Sequence, residues 1–232
     1  MSSTMRILDV EKRADPKLVA AFATMVTPHL SDSMERLYGV GSPLRPMHDG
    51  SILAGSAFSV KTTPGDNLLV HKALDMAKPG DVIVVDAGGV LEQAIIGGLM
   101  SAWAAHRGIA GLVIWGAIRD SAELRAGSFP VYACGVSHRG PYKNGPGEIN
   151  VPIAIGGMPV LPGDVVVGDA DGLVAVPQSI AERVLASART IRDKEAIAME
   201  QIRAGTYDRS WVDKTLHDKG YTLPVAARPN SR

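Results

Sequence analysis

A chain of 232 residues can bury one sizeable core, and its composition, 46% hydrophobic and 21% charged, is that of an ordinary globular protein. Twenty-four Lys plus Arg balance twenty-four Asp plus Glu, so the formal charge is zero, which argues against a nucleic-acid face and does little to hold copies of the chain apart. Cys134 is the single cysteine, which excludes an intramolecular disulfide and fits a reducing compartment.

The opening "MSSTMRILDVEKR" carries charges where a leader peptide needs an apolar core, and no apolar run approaches the roughly 20 residues that span a bilayer. The expectation is a cytoplasmic chain without a membrane segment. Asp15-Pro16 opens a first helix, Asp as cap and Pro at the first helical position, with apolar helical spacing through "KLVAAFATM". Ser31 or Asp32 is positioned to cap a second helix through "SMERLY". After Gly39 the pattern shifts to β-branched runs broken by glycine, and "SAFSVKTT" alternates as a strand does. "PGDNLLVHKALDMAKPGD" reads as loop, helix and loop, with Asp66 a helix cap or a site residue. "VIVVDAGG" reads as a strand buried on both faces that ends in a glycine turn. A helix ending "AWAAHRG" leads into the strand "GLVIW". From Phe129 short strands dominate, with Pro-Gly-Asp and Ala-Asp-Gly as turns and Asp164, Asp169 and Asp171 as turn residues. Gln178 to about Ala204 is a long polar helix. The predicted fold is α/β: parallel and antiparallel sheets layered with helices on one side, N-terminal helices, and a long C-terminal helix. One domain is expected over 1–232, with its core at about 25–177 and a helical extension from about 178.

Two stretches carry the chemistry. A helix running through Gly97-Gly98 would bear two costly interior glycines, so the helix is expected to start there instead. Its first N–H groups, in "GGLM" (Gly97, Gly98, Leu99, Met100), then lack intrahelical partners and suit a carboxylate or phosphate, although taken alone the glycines are more simply explained by a tight turn or close helix–strand packing. In "GLVIWGAIRDSAEL", Asp120 with Glu123 three residues on forms an Asp version of the capping box. Arg119, just past the strand end, suits bidentate carboxylate recognition, and ligands gather beyond the carboxyl ends of strands in open α/β sheets. Spacing alone leaves a surface ion pair and a binding site both open. The basic loop "HRGPYKNGPGE" is either solvated or closes over an anion. The six His have no zinc-binding spacing, His71 and His106 read as helix-face residues, and Cys134 reads as a buried thiol. No P-loop, GxGxxG or Ser-His-Asp order is present.

"GGLMSAWAAHRGIAGLVIWGAIRDSAEL" resembles the signature of the family uniting 4-hydroxy-4-methyl-2-oxoglutarate/4-carboxy-4-hydroxy-2-oxoadipate aldolases with the RraA regulators of ribonuclease E activity. "HLSDSMERL", "PGDNLLVHKALD", "GPGEINVPIAIGG" and "PGDVVVGDADGLVAVP" are similar to further blocks in the family's order, over roughly residues 25–200. The resemblance implies a class II pyruvate aldolase with a layered β/β/α, swivelling-domain-like fold. It implies homotrimers or dimers of trimers (homohexamers), Mg²⁺ or Mn²⁺ as cofactor and a small 2-oxo acid as substrate. Oxaloacetate decarboxylation follows as a side activity, because it forms the same pyruvate enolate. By position, Arg119 binds the substrate carboxylate, Asp120 binds the metal, residues 97–100 offer backbone amides, and Glu195 from the C-terminal helix completes a neighbouring subunit's site. The non-enzymatic branch implies the alternative, a protein-binding regulator of RNA processing. Two departures stand out. Gly98 replaces an acid common in the family, and Trp115 stands where relatives often carry an acidic residue, so Trp115 is expected to narrow or reshape the pocket.

Overall fold

The computed structural model describes residues 5–41 and 43–222. Among the described residues, contacts divide the chain into two compact units, one ending at Arg189 and a second, largely helical, from Thr190. In chain order the elements are α1 (Pro16–Phe22), α2 (Thr27–Asp32), β1 (Arg45–Pro46), β2 (Leu53–Thr62), α3 (Leu68–Met76), β3 (Asp81–Asp86) and β4 (Ala94–Ile96). There follow α4 (Gly98–His106), β5 (Gly111–Ile118), α5 (Ser121–Ala126), β6 (Val131–Val136), β7 (Gly147–Ile149), β8 (Ile153–Ile155) and β9 (Met158–Val160). Then come β10 (Val165–Gly168), β11 (Leu173–Val176), α6 (Ala181–Ala204) and α7 (Ser210–Asp218).

One mixed sheet runs in the order β1-β6-β5-β3-β2-β10-β11, with β4 paired to β5 and β7 to β2, and β8-β9 forms a separate hairpin. The central strands β2, β3, β5 and β6 are parallel to one another, and the later hairpin β10-β11 adds antiparallel to β2. Alternation sorts the side chains by face. Ile83, Val85, Leu112 and Ile114 point to a cluster shared with Val70, Leu74 and Ala104 of α3 and α4. Val82, Val84 and Val113 point to the opposite cluster, filled by Ile153, Ile155, Met158 and Val160 of the hairpin. A third cluster joins Phe22, Met25 and Leu30 to Val165, Val167 and Val176, closed by Ala181, Val184, Leu185 and Ala188 at helical spacing along α6. The result is the mixed α/β architecture, with N-terminal helices and a long C-terminal helix, that the late hairpins of the sequence predict.

The first helix forms as its sequence dictates: the Asp15 carboxylate accepts from Lys17 N at 2.7 Å, and Pro16 follows in the first turn. The second corrects the expectation. It ends where "SMERLY" was to begin, and Glu35 and Arg36 both take left-handed backbone (φ 54° and 62°) that no helix continues. The cause lies upstream and far along the chain. Pro28 favours a start at Thr27, and the Asp169 carboxylate anchors that start by accepting from Thr27 N and Oγ1, both at 2.7 Å. Asp169 is therefore more than a turn residue.

Gly55 in β2 shows how closely the first unit is packed. A Cβ there would stand 2.5 Å from Gly80 O and 2.7 Å from Val82 Cγ2, one a backbone atom and the other in the core. Gly55→Ala is therefore expected to destabilise by about 1–3 kcal/mol through overpacking, read as a lower midpoint in urea unfolding with an unchanged slope.

Candidate active site

The three-residue strand β4 decides where the candidate residues meet. It pairs in parallel with the end of β5, Ala94 opposite Ala117 and Ile96 opposite Ile118, and Arg119 N donates to Ile96 O at 3.0 Å. The register sets Gly97-Gly98, at the start of α4, beside Arg119-Asp120. Here a cleft of about 320 Å³ opens, walled by Gly97, Leu99, Met100, Arg119 and Asp120 and, from other elements, by Asn67, His71, Ile95, Ile96, Gly140, Pro141 and Lys143.

The helix starts at the double glycine as expected, with Gly97 at its cap and extended (φ −153°). Asp120 does not act as the capping box predicts. Its backbone is left-handed (φ 57°), its side chain makes no capping bond to α5, and its Oδ2 accepts instead from Gly98 N at 2.9 Å. Asp120 thus caps the neighbouring helix rather than its own, because β4 delivers that helix's positive end to it. Left-handed backbone is tolerable to Asp at some cost and clusters at functional sites. Glu123 does not complete a box either. A Cβ on Gly98 would lie 2.5 Å from Glu123 Oε2, and one on Gly97 would lie 2.8 Å from Arg119 Cγ. At Gly97 the Arg119 stem and the Asp120 carboxylate leave no room for a Cβ, whereas at Gly98 the nearest group is the exposed, flexible end of Glu123.

Arg119 and Asp120 are each nearly half exposed, and Arg119 Nε stands 3.7 Å from Asp120 Oδ2. The next N–H groups in the first turn, those of Leu99 and Met100, have no intrahelical acceptor, and both residues line the cleft. Gly98 is buried and meets Asp120 through its N–H rather than forming wall. Glu195 lies on α6 in the second unit, exposed.

The loop 138–148 forms one wall of the cleft through Gly140, Pro141 and Lys143. Asp66, 2% exposed, holds it: Oδ1 accepts from Leu68 N, and Oδ2 accepts from Asn144 N and from Gly145 N at 3.0 Å. Tyr142 N donates to Gly65 O, and Asn67 N donates to Tyr142 O. Asp66 is therefore both a local cap and the tie that keeps Lys143 at the cleft. His71, also on the wall, has its pKa lowered by burial first and by the Lys143 ammonium second, against the opposing pull of Asp75. It is mostly neutral at pH 7.

Trp115 corrects another expectation. Its side chain falls on the opposite face of the sheet, in the cluster with the β8-β9 hairpin. There its ring lies against Gly89 and Gly156, where a Cβ would come within 2.9 Å and 2.8 Å of it. The alternation of β5 sends Ile114 and Trp115 to opposite faces, so Trp115 shapes the core and forms no part of the cleft wall.

The model of the RraA-like family (Aldolase/RraA) matches residues 27–175, and the chain belongs to that family. A protein of Halalkalibacterium halodurans, provisionally named a 4-hydroxy-4-methyl-2-oxoglutarate aldolase, is 37% identical over 206 residues, which cover 88% of this chain and 98% of that one. Among solved structures, a Pseudomonas syringae protein of uncharacterised function superposes with a TM-score of 0.76 at 27% identity, over 84% of this chain and 92% of its own. The Thermus thermophilus RNA-processing inhibitor RraA superposes with a TM-score of 0.61 at 34% identity, over 66% of this chain and 92% of its own.

Proposed function

We propose that this chain is a divalent-cation-dependent lyase that cleaves a 4-hydroxy-2-oxo acid to pyruvate by retro-aldol chemistry, with oxaloacetate decarboxylation as a side activity. The observation that carries the reading is the convergence of Arg119, Asp120 and the first turn of α4 on one cleft through the β4-β5 pairing. Arg119 offers a planar fork to the substrate carboxylate, and the N–H groups of Leu99 and Met100 offer further donors. Asp120 is the residue that would hold the cation. Its carboxylate is a hard, half-exposed oxygen donor, and among the described residues no group of three or more His, Cys, Asp or Glu forms a dedicated cage. That donor set fits an ion that keeps several of its waters, Mg²⁺ or Mn²⁺, rather than a nitrogen- or sulfur-bound metal. When bound, the cation supplies Lewis-acid stabilisation of the charge that develops on the C2 oxygen. As the C3–C4 bond breaks, its electron pair moves to C3 and the enolate forms. The C4 hydroxyl gives its proton to solvent as it becomes the carbonyl of the departing product, and C3 takes a proton back from solvent to give pyruvate. Arg119 holds the carboxylate in place throughout, and Lys143 adds positive charge to the same wall.

The acid missing from position 98 has a counterpart in Glu123, whose carboxylate lies over Gly98 at the same helix start. Glu195 is assigned to the site of a neighbouring copy in a homotrimer or dimer of trimers. Exposed Leu99 and Trp103 on α4, and Ile197, Met199, Ile202 and Trp211 in the second unit, support self-association.

The likeness to an RNA-processing inhibitor favours a second reading, a protein-binding regulator of ribonuclease E-type processing. One experiment separates the two: pyruvate release from a panel of 2-oxo acids with Mg²⁺ or Mn²⁺, alongside capture of ribonuclease E by the immobilised chain. The lyase reading expects release from oxaloacetate and 4-hydroxy-4-methyl-2-oxoglutarate that EDTA abolishes. No release with tight ribonuclease E capture would establish the regulator instead.

A further inference from the structure

One residue lining the cleft has a buried polar atom that this chemistry leaves without a role. Asn67, just before α3, is 2% exposed. Its Nδ2 donates to Ile95 O at 2.9 Å and reaches Met100 Sδ at 3.4 Å, while its Oδ1 has no hydrogen-bond partner among the described residues. The amide cannot be turned, because Oδ1 would then face the Ile95 carbonyl, acceptor against acceptor. Buried acceptors are ordinarily matched, and an unmatched one calls for a donor from elsewhere.

The cleft's other groups indicate which donor that is. Arg119, Lys143 and the N–H groups of Leu99 and Met100 all donate, which suits the carboxylate and ketone oxygens of a 2-oxo acid, since these only accept. Asp120 accepts but is already engaged by Gly98 N. His71 can accept too, but its ring is only partly desolvated and reaches water, so it does not depend on a ligand for a partner. A 4-hydroxy-2-oxo acid brings one donor of its own, the C4 hydroxyl. We infer that Asn67 Oδ1 accepts from this hydroxyl and is the residue that selects hydroxyl-bearing 2-oxo acids over those without one. The inference rests on the lyase reading and adds a specificity determinant to it. A site built to bond a substrate hydroxyl rejects the analogue lacking it strongly, because its own buried acceptor is then stranded.

The test compares two substrates of the same active site. In Asn67→Ala, the ratio of kcat/KM for 4-hydroxy-4-methyl-2-oxoglutarate to that for oxaloacetate is expected to fall at least about tenfold. Residual pyruvate release and the melting temperature report that the variant is folded. An unchanged ratio overturns the role of Asn67 and leaves the lyase reading standing. Because truncation at a buried position can cost the fold, the wild-type chain gives a second reading. 2-Oxoglutarate, which lacks the hydroxyl, is expected to compete for the site at least about tenfold more weakly than 4-hydroxy-2-oxoglutarate, and equal competition overturns the inference. A wild-type chain that turns over neither substrate removes the lyase reading and the role of Asn67 together.

Discussion

Arg119→Ala is expected to lower kcat/KM for pyruvate release by about 10²- to 10³-fold, the cost of removing one partner from a desolvated, hydrogen-bonded charge pair at about 1.4 kcal/mol per tenfold. The loss should fall mainly on KM, since the carboxylate is present in the bound substrate and in the transition state alike. Arg119→Lys should recover only a small part, because an ammonium keeps the charge and loses the fork. The fold should survive either change. The Arg119 side chain is nearly half exposed, and the bond that fixes its position, from its N to Ile96 O, belongs to the backbone. Steady-state kinetics with a matched melting curve checks both statements, and wild-type kinetics in Arg119→Ala would remove the carboxylate site from the account.

Asp120→Ala carries the second large effect, and here stability and activity have to be separated. Alanine at φ 57° costs about 1–2 kcal/mol of backbone strain. Loss of the bond to Gly98 N removes a helix cap worth about 0.5–2 kcal/mol. The variant should therefore melt earlier as well as lose cation-dependent turnover. Asp120→Asn isolates the charge. Asn tolerates left-handed backbone and retains an oxygen for Gly98, so its melting temperature should stay near wild type. Its turnover should nonetheless fall at least about 10²-fold, as removal of a stabiliser of developing charge does, and Mn²⁺ titration should show weakened binding. An Asn variant that binds Mn²⁺ and turns over like wild type would place the cation elsewhere.

Much of this arrangement is legible in the residues alone, for identifiable reasons. Buried strands such as "VIVVD" and "GLVIW" declare themselves by continuous apolar character, and the cost of two interior glycines puts the start of α4 in its place. The β4 strand is three residues long, too short for periodicity to reveal, yet it alone brings Gly98 to Asp120. That is why the local reading of Asp120 as a cap was right in kind and wrong in its target. "PGDNLL" hides Asn67 in the same way: beside Asp66 it looks like one more capping residue, and only the path of Ile95 shows that its amide is half used. Trp115 misleads for the opposite reason. A position defined by relatives says nothing of face, which the packing of β5 side chains decides. Likewise the polar run after Asp32 looks helical, but the anchor on Asp169, 142 residues away, starts α2 early and ends it before that run.

A cleft built as proposed around Arg119 and Asp120 should stabilise the enolate of pyruvate with the help of a divalent cation, whatever natural substrate delivers it. Exchange of the pyruvate methyl protons in deuterated water, followed by proton NMR, tests that step without any assumption about the rest of the substrate. Exchange catalysed by the chain with Mg²⁺ or Mn²⁺, abolished by EDTA, restored by added cation and absent in Arg119→Ala, is the predicted result. Exchange no faster than buffer with cation present, or exchange that persists in EDTA, would contradict the account.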